Sequence, residues 1–69
     1  MAKIIKIEIT PCYCKEYRIY LDNGESFEVR VYSKGIYCYN KYPHQDSEQI
    51  RTHSLISAID KIIRILYEN

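Results

Sequence analysis

The sequence predicts an α+β domain: an antiparallel meander of four strands (ββββα) closed by one amphipathic helix on one face. Three observations predict it. Apolar and polar residues alternate in successive short segments, the pattern of half-buried strands. Each of the two glycines follows polar turn residues, in Asp22-Asn23-Gly24 and Ser33-Lys34-Gly35. The last third of the chain instead spaces its isoleucines and leucines at helical intervals. The expected bounds are strands at about 3–10, 16–21, 26–32 and 36–40, and a helix at about 47–67, all in one domain, 1–69.

In the first strand Ile5, Ile7 and Ile9 alternate with Lys6 and Glu8, and Pro11 ends the run. Tyr17, Ile19 and Leu21 form the inner side of the second strand, and Phe27, Val29 and Val31 that of the third. Parity fixes how these two pair. A two-residue Asn23-Gly24 turn would set Leu21 opposite Ser26 and carry polar groups into the core. A three-residue Asp22-Asn23-Gly24 loop sets Ile19 against Phe27 and Tyr17 against Val29, with glycine at the left-handed position. On the other face Arg18 then meets Glu28, and Glu16 meets Arg30. The first hairpin follows by pairing Ile7 with Ile19 and Ile9 with Tyr17, which puts Glu8 beside Arg18.

The fourth strand leaves two registers open, one turning Ile36 and Cys38 inward, the other Tyr37 and Tyr39. Its edge and that of the first strand read as short and charged. Asp46 or Ser47 is positioned to cap the helix, with Glu48 in its first turn. Leu55, Ile56, Ile59, Ile62, Ile63 and Leu66 make the core stripe, and Asp60 and Arg64 an i,i+4 pair. Ile50 falls on the polar side of this wheel. Either the helix starts near Thr52 or Ile50 packs against the preceding loop.

Composition bounds the function. Lys and Arg number 10 against 9 Asp and Glu, a formal charge of +1, so the chain is neither a strongly basic nucleic-acid binder nor an acidic mimic of DNA. Charges interrupt the N-terminal isoleucines every two or three residues, so they read as neither signal peptide nor membrane span. The expected location is the cytoplasm. Three cysteines do not make a secreted disulfide framework. Cys12, Cys14, Cys38 and His44 could hold tetrahedral zinc, but the single residue between the first two is shorter than structural zinc sites favour. The plainer reading is ordinary small thiols, with no metal and no cofactor. There is no phosphate-binding glycine loop, paired-histidine helix or nucleophile elbow. The carboxylates lie opposite arginines, so raised-pKa catalytic acids are not expected, and the chain reads as no enzyme.

Eight tyrosines are the main oddity. Arg18, Tyr20, Arg30 and Tyr32, with Tyr37 and Tyr39 in one register, would share the sheet face away from the helix. Aromatics and arginines on an open sheet can stack single strands. The ββββα order resembles the transcriptional-coactivator family, a resemblance that implies a dimer gripping single-stranded DNA. It is topological and carries no diagnostic motif. The runs 3–8 and 17–22 also resemble the opening hairpin of the regulatory protein that inhibits bacterial recombinase, over a third of the chain. The helical repeats of that family are absent. Against nucleic acid, Lys6, Arg18 and Arg30 on the open face are answered by Glu8, Glu16 and Glu28.

A charge-balanced, tyrosine-rich face suits a protein partner. The bland alternative is that the tyrosines are half-buried β-formers. Twelve isoleucines, eight tyrosines and six lysines are amino acids of A/T-rich codons. With the small size, they fit a phage- or virus-encoded inhibitor of a host system, an anti-defence protein of the anti-CRISPR kind. Ala58, Ile62 and Ile65 form an expected ledge for a homodimer, the Tyr20/Tyr32 face being the other route.

Overall fold

A computed structural model of the chain describes residues 2–10, 15–41 and 47–68. The chain builds β1 (Ile4–Thr10), β2 (Glu16–Leu21), β3 (Ser26–Ser33), β4 (Ile36–Asn40), β5 (Glu48–Arg51) and α1 (Leu55–Tyr67). The strands form one antiparallel sheet in sequential order, β1-β2-β3-β4-β5, with α1 packed on one face. The α+β meander is as expected, with one strand more.

The central registers follow from side-chain parity. Ile19 pairs with Phe27, Tyr17 with Val29, Arg18 with Glu28 and Glu16 with Arg30. Ile7 pairs with Ile19, Ile9 with Tyr17 and Glu8 with Arg18. The loop between β2 and β3 has three residues. Leu21 N–H donates to Glu25 O at 2.9 Å, and Gly24 N–H to Leu21 O at 3.2 Å. Gly24 sits at φ 87°, where a side chain would be strained, and the Asn23 side chain accepts from Glu25 N–H at 2.9 Å.

The open choice at β4 resolves toward the tyrosines. Tyr39 pairs with Val29 and Tyr37 with Val31, while Cys38 lies opposite Arg30 on the other face. A bulge between Val31 and Ser33 leaves Tyr32 as the extra residue of β3. Gly35 follows at φ 80°, and a Cβ there would stand 3.2 Å from the Thr52 carbonyl.

Residues 48–51 form a strand, which corrects the helix bounds. Ile50 pairs with Tyr37 and so turns inward, the reason it fits no helical stripe. Glu48 therefore lies in β5 and contributes nothing to a helix first turn, which holds no acidic residue. Ser54 is the N-cap in place of Ser47, its hydroxyl accepting from Ser57 N–H at 3.1 Å. Asp46, the other expected cap, lies outside the described residues, as do Cys12, Cys14 and His44.

Ile19, Leu21, Phe27, Val29, Tyr37 and Tyr39 bury against Ala58, Ile59, Ile62 and Ile63. Leu55 and Leu66 pack at the margin, but Ile56 is 70% exposed and leaves the expected stripe. The helix lies closest to β4. The inner face of β1, at the far side of the sheet, is thus uncovered, and Ile4, Ile7 and Ile9 are all exposed. β1 carries Lys6 and Glu8, as expected of an edge, beside this exposed apolar row, while β4, the other expected edge, is covered by β5.

Candidate functional site: the outer face of the sheet

The face away from α1 is a lattice of cross-strand pairs. One row runs Glu8, Arg18, Glu28, Asn40, and the next Thr10, Glu16, Arg30, Cys38, Gln49. Alternation sends every second residue of each strand to this face. It brings together Arg18, Tyr20 and Arg30, and Tyr32, at the bulge, joins Arg30 and Cys38 through the cleft that they line. It does not bring Tyr37 and Tyr39, which are buried under the helix at 7% and 6% exposure and cannot touch a partner. Their register puts them opposite apolar residues of β3 and, for Tyr37, of β5. Burial, and secondarily the Glu48 charge, holds the Tyr39 hydroxyl above its ordinary pKa.

The β1–β3 half of the face is internally satisfied. Arg18 Nη2 lies 2.7 Å from Glu28 Oε1, and Lys6 Nζ 3.8 Å from Glu8 Oε2. Tyr20 donates its hydroxyl to the Glu8 carboxylate, and Lys6 Nζ sits 5.5 Å from the Tyr20 ring centre. That hydrogen bond, with the Lys6 charge, lowers the Glu8 pKa; the same hydrogen bond, with desolvation and the Glu8 charge, raises that of Tyr20. Glu28 is raised, against the expectation for a carboxylate opposite an arginine. A hydrogen bond with the Glu16 carboxyl and partial burial outweigh the Arg18 charge.

The β3–β5 half differs. Arg30 donates to the Ser47 hydroxyl at 3.2 Å, and among the described residues it has no ion-pair partner. Tyr32 is 70% exposed. Arg30, Val31, Tyr32, Cys38 and Ser47 line a cleft of about 280 Å³. Cys38 is a free, buried thiol. By alternation β5 adds Gln49 and Arg51 to this face, so the expected charge balance of zero becomes one net cation on the strand faces. Sequence reasoning missed Arg51 because it read residues 48–51 as helix. The misfit of Ile50 was the available signal.

The expected helix ledge reduces to one residue. Ala58 and Ile62 are completely buried in the core, and Ile65 is 41% exposed. Among the described residues no group of three potential metal ligands comes together. No helix of the described residues is long and apolar enough to cross a membrane.

No protein-family model matches the chain, and neither a curated protein nor a solved structure does.

Proposed function

We propose that this protein is a small non-catalytic binding module that acts by occupying a surface of another protein with the outer face of its sheet. One observation carries the reading. The cations best placed to grip a nucleic-acid backbone, Lys6 and Arg18, are already committed to Glu8 and Glu28. Phosphate binding draws its free energy from cations that displace condensed counterions, and a cation held by a carboxylate contributes little to that exchange. An exposed tyrosine beside an arginine, on a rigid strand lattice, is by contrast the composition of protein interfaces. Tyr32 supplies the anchor and Arg30 the rim contact. Inhibition of a host system by a phage- or virus-encoded protein is the biological setting that the abundance of amino acids with A/T-rich codons favours.

A second reading, single-stranded nucleic acid, has an observation of its own. Arg30 and Arg51 share the face with Tyr32, and Arg30 has no carboxylate at ion-pair distance among the described residues. Two such cations and one stacking ring make a weak site with a shallow salt dependence.

The test is retention of a partner by immobilised protein from extract of the cells in which it acts. A stoichiometric protein retained by the parent and lost by Tyr32→Glu and Arg30→Glu is expected. Retention of nucleic acid alone, removed by nuclease, would favour the second reading.

A further inference from the structure

We propose that β1 is a self-pairing edge, and that two copies of the chain join through it, antiparallel and twofold-related, with Ile7 of each copy facing Ile7 of the other.

The open edge is the first observation. Among the described residues β1 pairs only with β2, so its other side presents backbone groups that no described strand pairs. Which residues present them can be worked out. Leu21 N–H points to β3, where it donates to Glu25 O. Alternation then turns Ile19 and Tyr17 to β3 as well, and Tyr20 and Arg18 to β1. Their partners Lys6 and Glu8 spend their backbone groups on β2. Ile7 and Ile9 are left with N–H and C=O directed outward.

The second observation is the apolar row on the helix side of the same strand. Ile7 and Ile9 pair with inward-facing residues of β2, yet are 43% and 70% exposed. Ile4 pairs with Leu21, and Ile5 is the extra residue of the bulge that ends the regular pairing; they are 40% and 66% exposed. One helix does not reach this strand. A row of exposed isoleucines beside unpaired backbone groups is the surface that edge strands normally suppress with charge or proline.

Charge selects the occupant and the register. A foreign strand could use the edge, but β1 is complementary to itself. Registers that pair odd with even residues set outward backbone groups against inward ones and mix the faces. Centring on Ile5 or Ile9 overlaps only one end of the strand and sets Lys6 or Glu8 opposite an uncharged residue, which leaves three central registers. Centring on Lys6 puts Lys6 opposite its own copy, and centring on Glu8 puts Glu8 opposite its own copy, both like-charge pairs at close approach. Centring on Ile7 pairs Lys6 with Glu8 of the other copy, twice. It also lets the two Ile7 residues exchange both backbone hydrogen bonds, and sets their side chains together on the apolar side with Ile9 of each copy next in the row. Hydrogen bonding, apolar contact and charge agree in this register alone. The outer face with Tyr32 and Arg30 stays open in both copies, so this assembly does not depend on the partner proposed above.

The experiment is sedimentation equilibrium of the full chain from about 5 to 500 µM at low salt, with circular dichroism confirming the fold of each variant. Twice the 8.3 kDa monomer mass is expected at the upper concentrations. Ile9→Lys, at an exposed position, should return the monomer. Lys6→Glu and Glu8→Lys should each weaken association about tenfold or more. An equimolar mixture of those two variants should associate like the parent, because each then faces the opposite charge. A monomer throughout, a dimer indifferent to Ile9→Lys, or a mixture no tighter than its components would overturn the proposal.

Discussion

Glu28 accepts an ion-paired hydrogen bond from Arg18 at 2.7 Å and still holds its proton more tightly than an ordinary glutamate. The reason is the Glu16 carboxyl diagonal to it, which shares a hydrogen bond with Glu28 and opposes a second negative charge. Arrayed charges on a sheet face are therefore not equivalent to a tally of plus and minus. A nearest-neighbour pair is attractive while the next diagonal repels.

This gives a pH dependence with a definite sign. A carboxyl whose folded pKa is raised binds more protons folded than unfolded, so its contribution to stability is present below the ordinary value and lost as pH rises through the raised one. Glu16→Gln removes the opposing charge. It should raise stability at pH 7 by roughly 0.5 kcal/mol, a size typical of surface charge pairs, and leave stability near pH 3 unchanged. Urea denaturation of parent and variant at the two pH values measures this. An equal shift at both would assign the effect to packing.

Gly24→Val should cost roughly 2 kcal/mol, since a β-branched residue at φ 87° is strained although nothing lies within 4 Å of the new Cβ. Gly24→Asn should cost clearly less, because asparagine tolerates the left-handed region. Denaturant midpoints at constant m-value separate the two. Similar costs would mean that the left-handed backbone conformation does not decide at this turn.

The helix start gives a third expectation. Ser54→Ala removes the acceptor for Ser57 N–H and should destabilise by about 1 kcal/mol. Ser47→Ala, at the position first expected to cap, should leave the helix intact, because that hydroxyl accepts from Arg30 instead. A loss at Ser47 matching that at Ser54 would place the helix start wrongly.

What was legible in the sequence and what was not divide along physical lines. The register of β2 and β3 was legible because both faces carry information. Ile19–Phe27 and Arg18–Glu28 each demand the same three-residue loop. At β4 both faces are usable, since Cys38 and Tyr37 can each be buried. Only the bulge at Tyr32, a backbone event with no side-chain signature, decides between them. β5 was illegible because four residues with one apolar side chain carry no period. Of the candidate site, alternation places Arg18, Tyr20 and Arg30 on one face, Tyr32 sits at the bulge where alternation breaks, and Tyr37 and Tyr39 fall to the opposite face with the β4 register. The exposed β1 row could not be foreseen, because coverage depends on where the helix lies across the sheet.

Mixed-sequence single-stranded DNA should bind weakly. Fluorescence anisotropy at about 150 mM salt should give a Kd above micromolar and a shallow salt slope, in keeping with Arg30 and Arg51 as the two cations of this face that pair with no carboxylate among the described residues. Submicromolar binding lost in Arg30→Glu with Arg51→Glu would make the nucleic-acid reading the better one.

The most direct test of the proposed binding face is site-specific photocrosslinking in cells. A benzophenone amino acid replaces Tyr32 in one variant and Ile56, equally exposed on the helix, in another. The account predicts a discrete protein adduct from position 32 that is absent from position 56. The same adducts from both positions, or a nucleic-acid adduct alone from position 32, would contradict it.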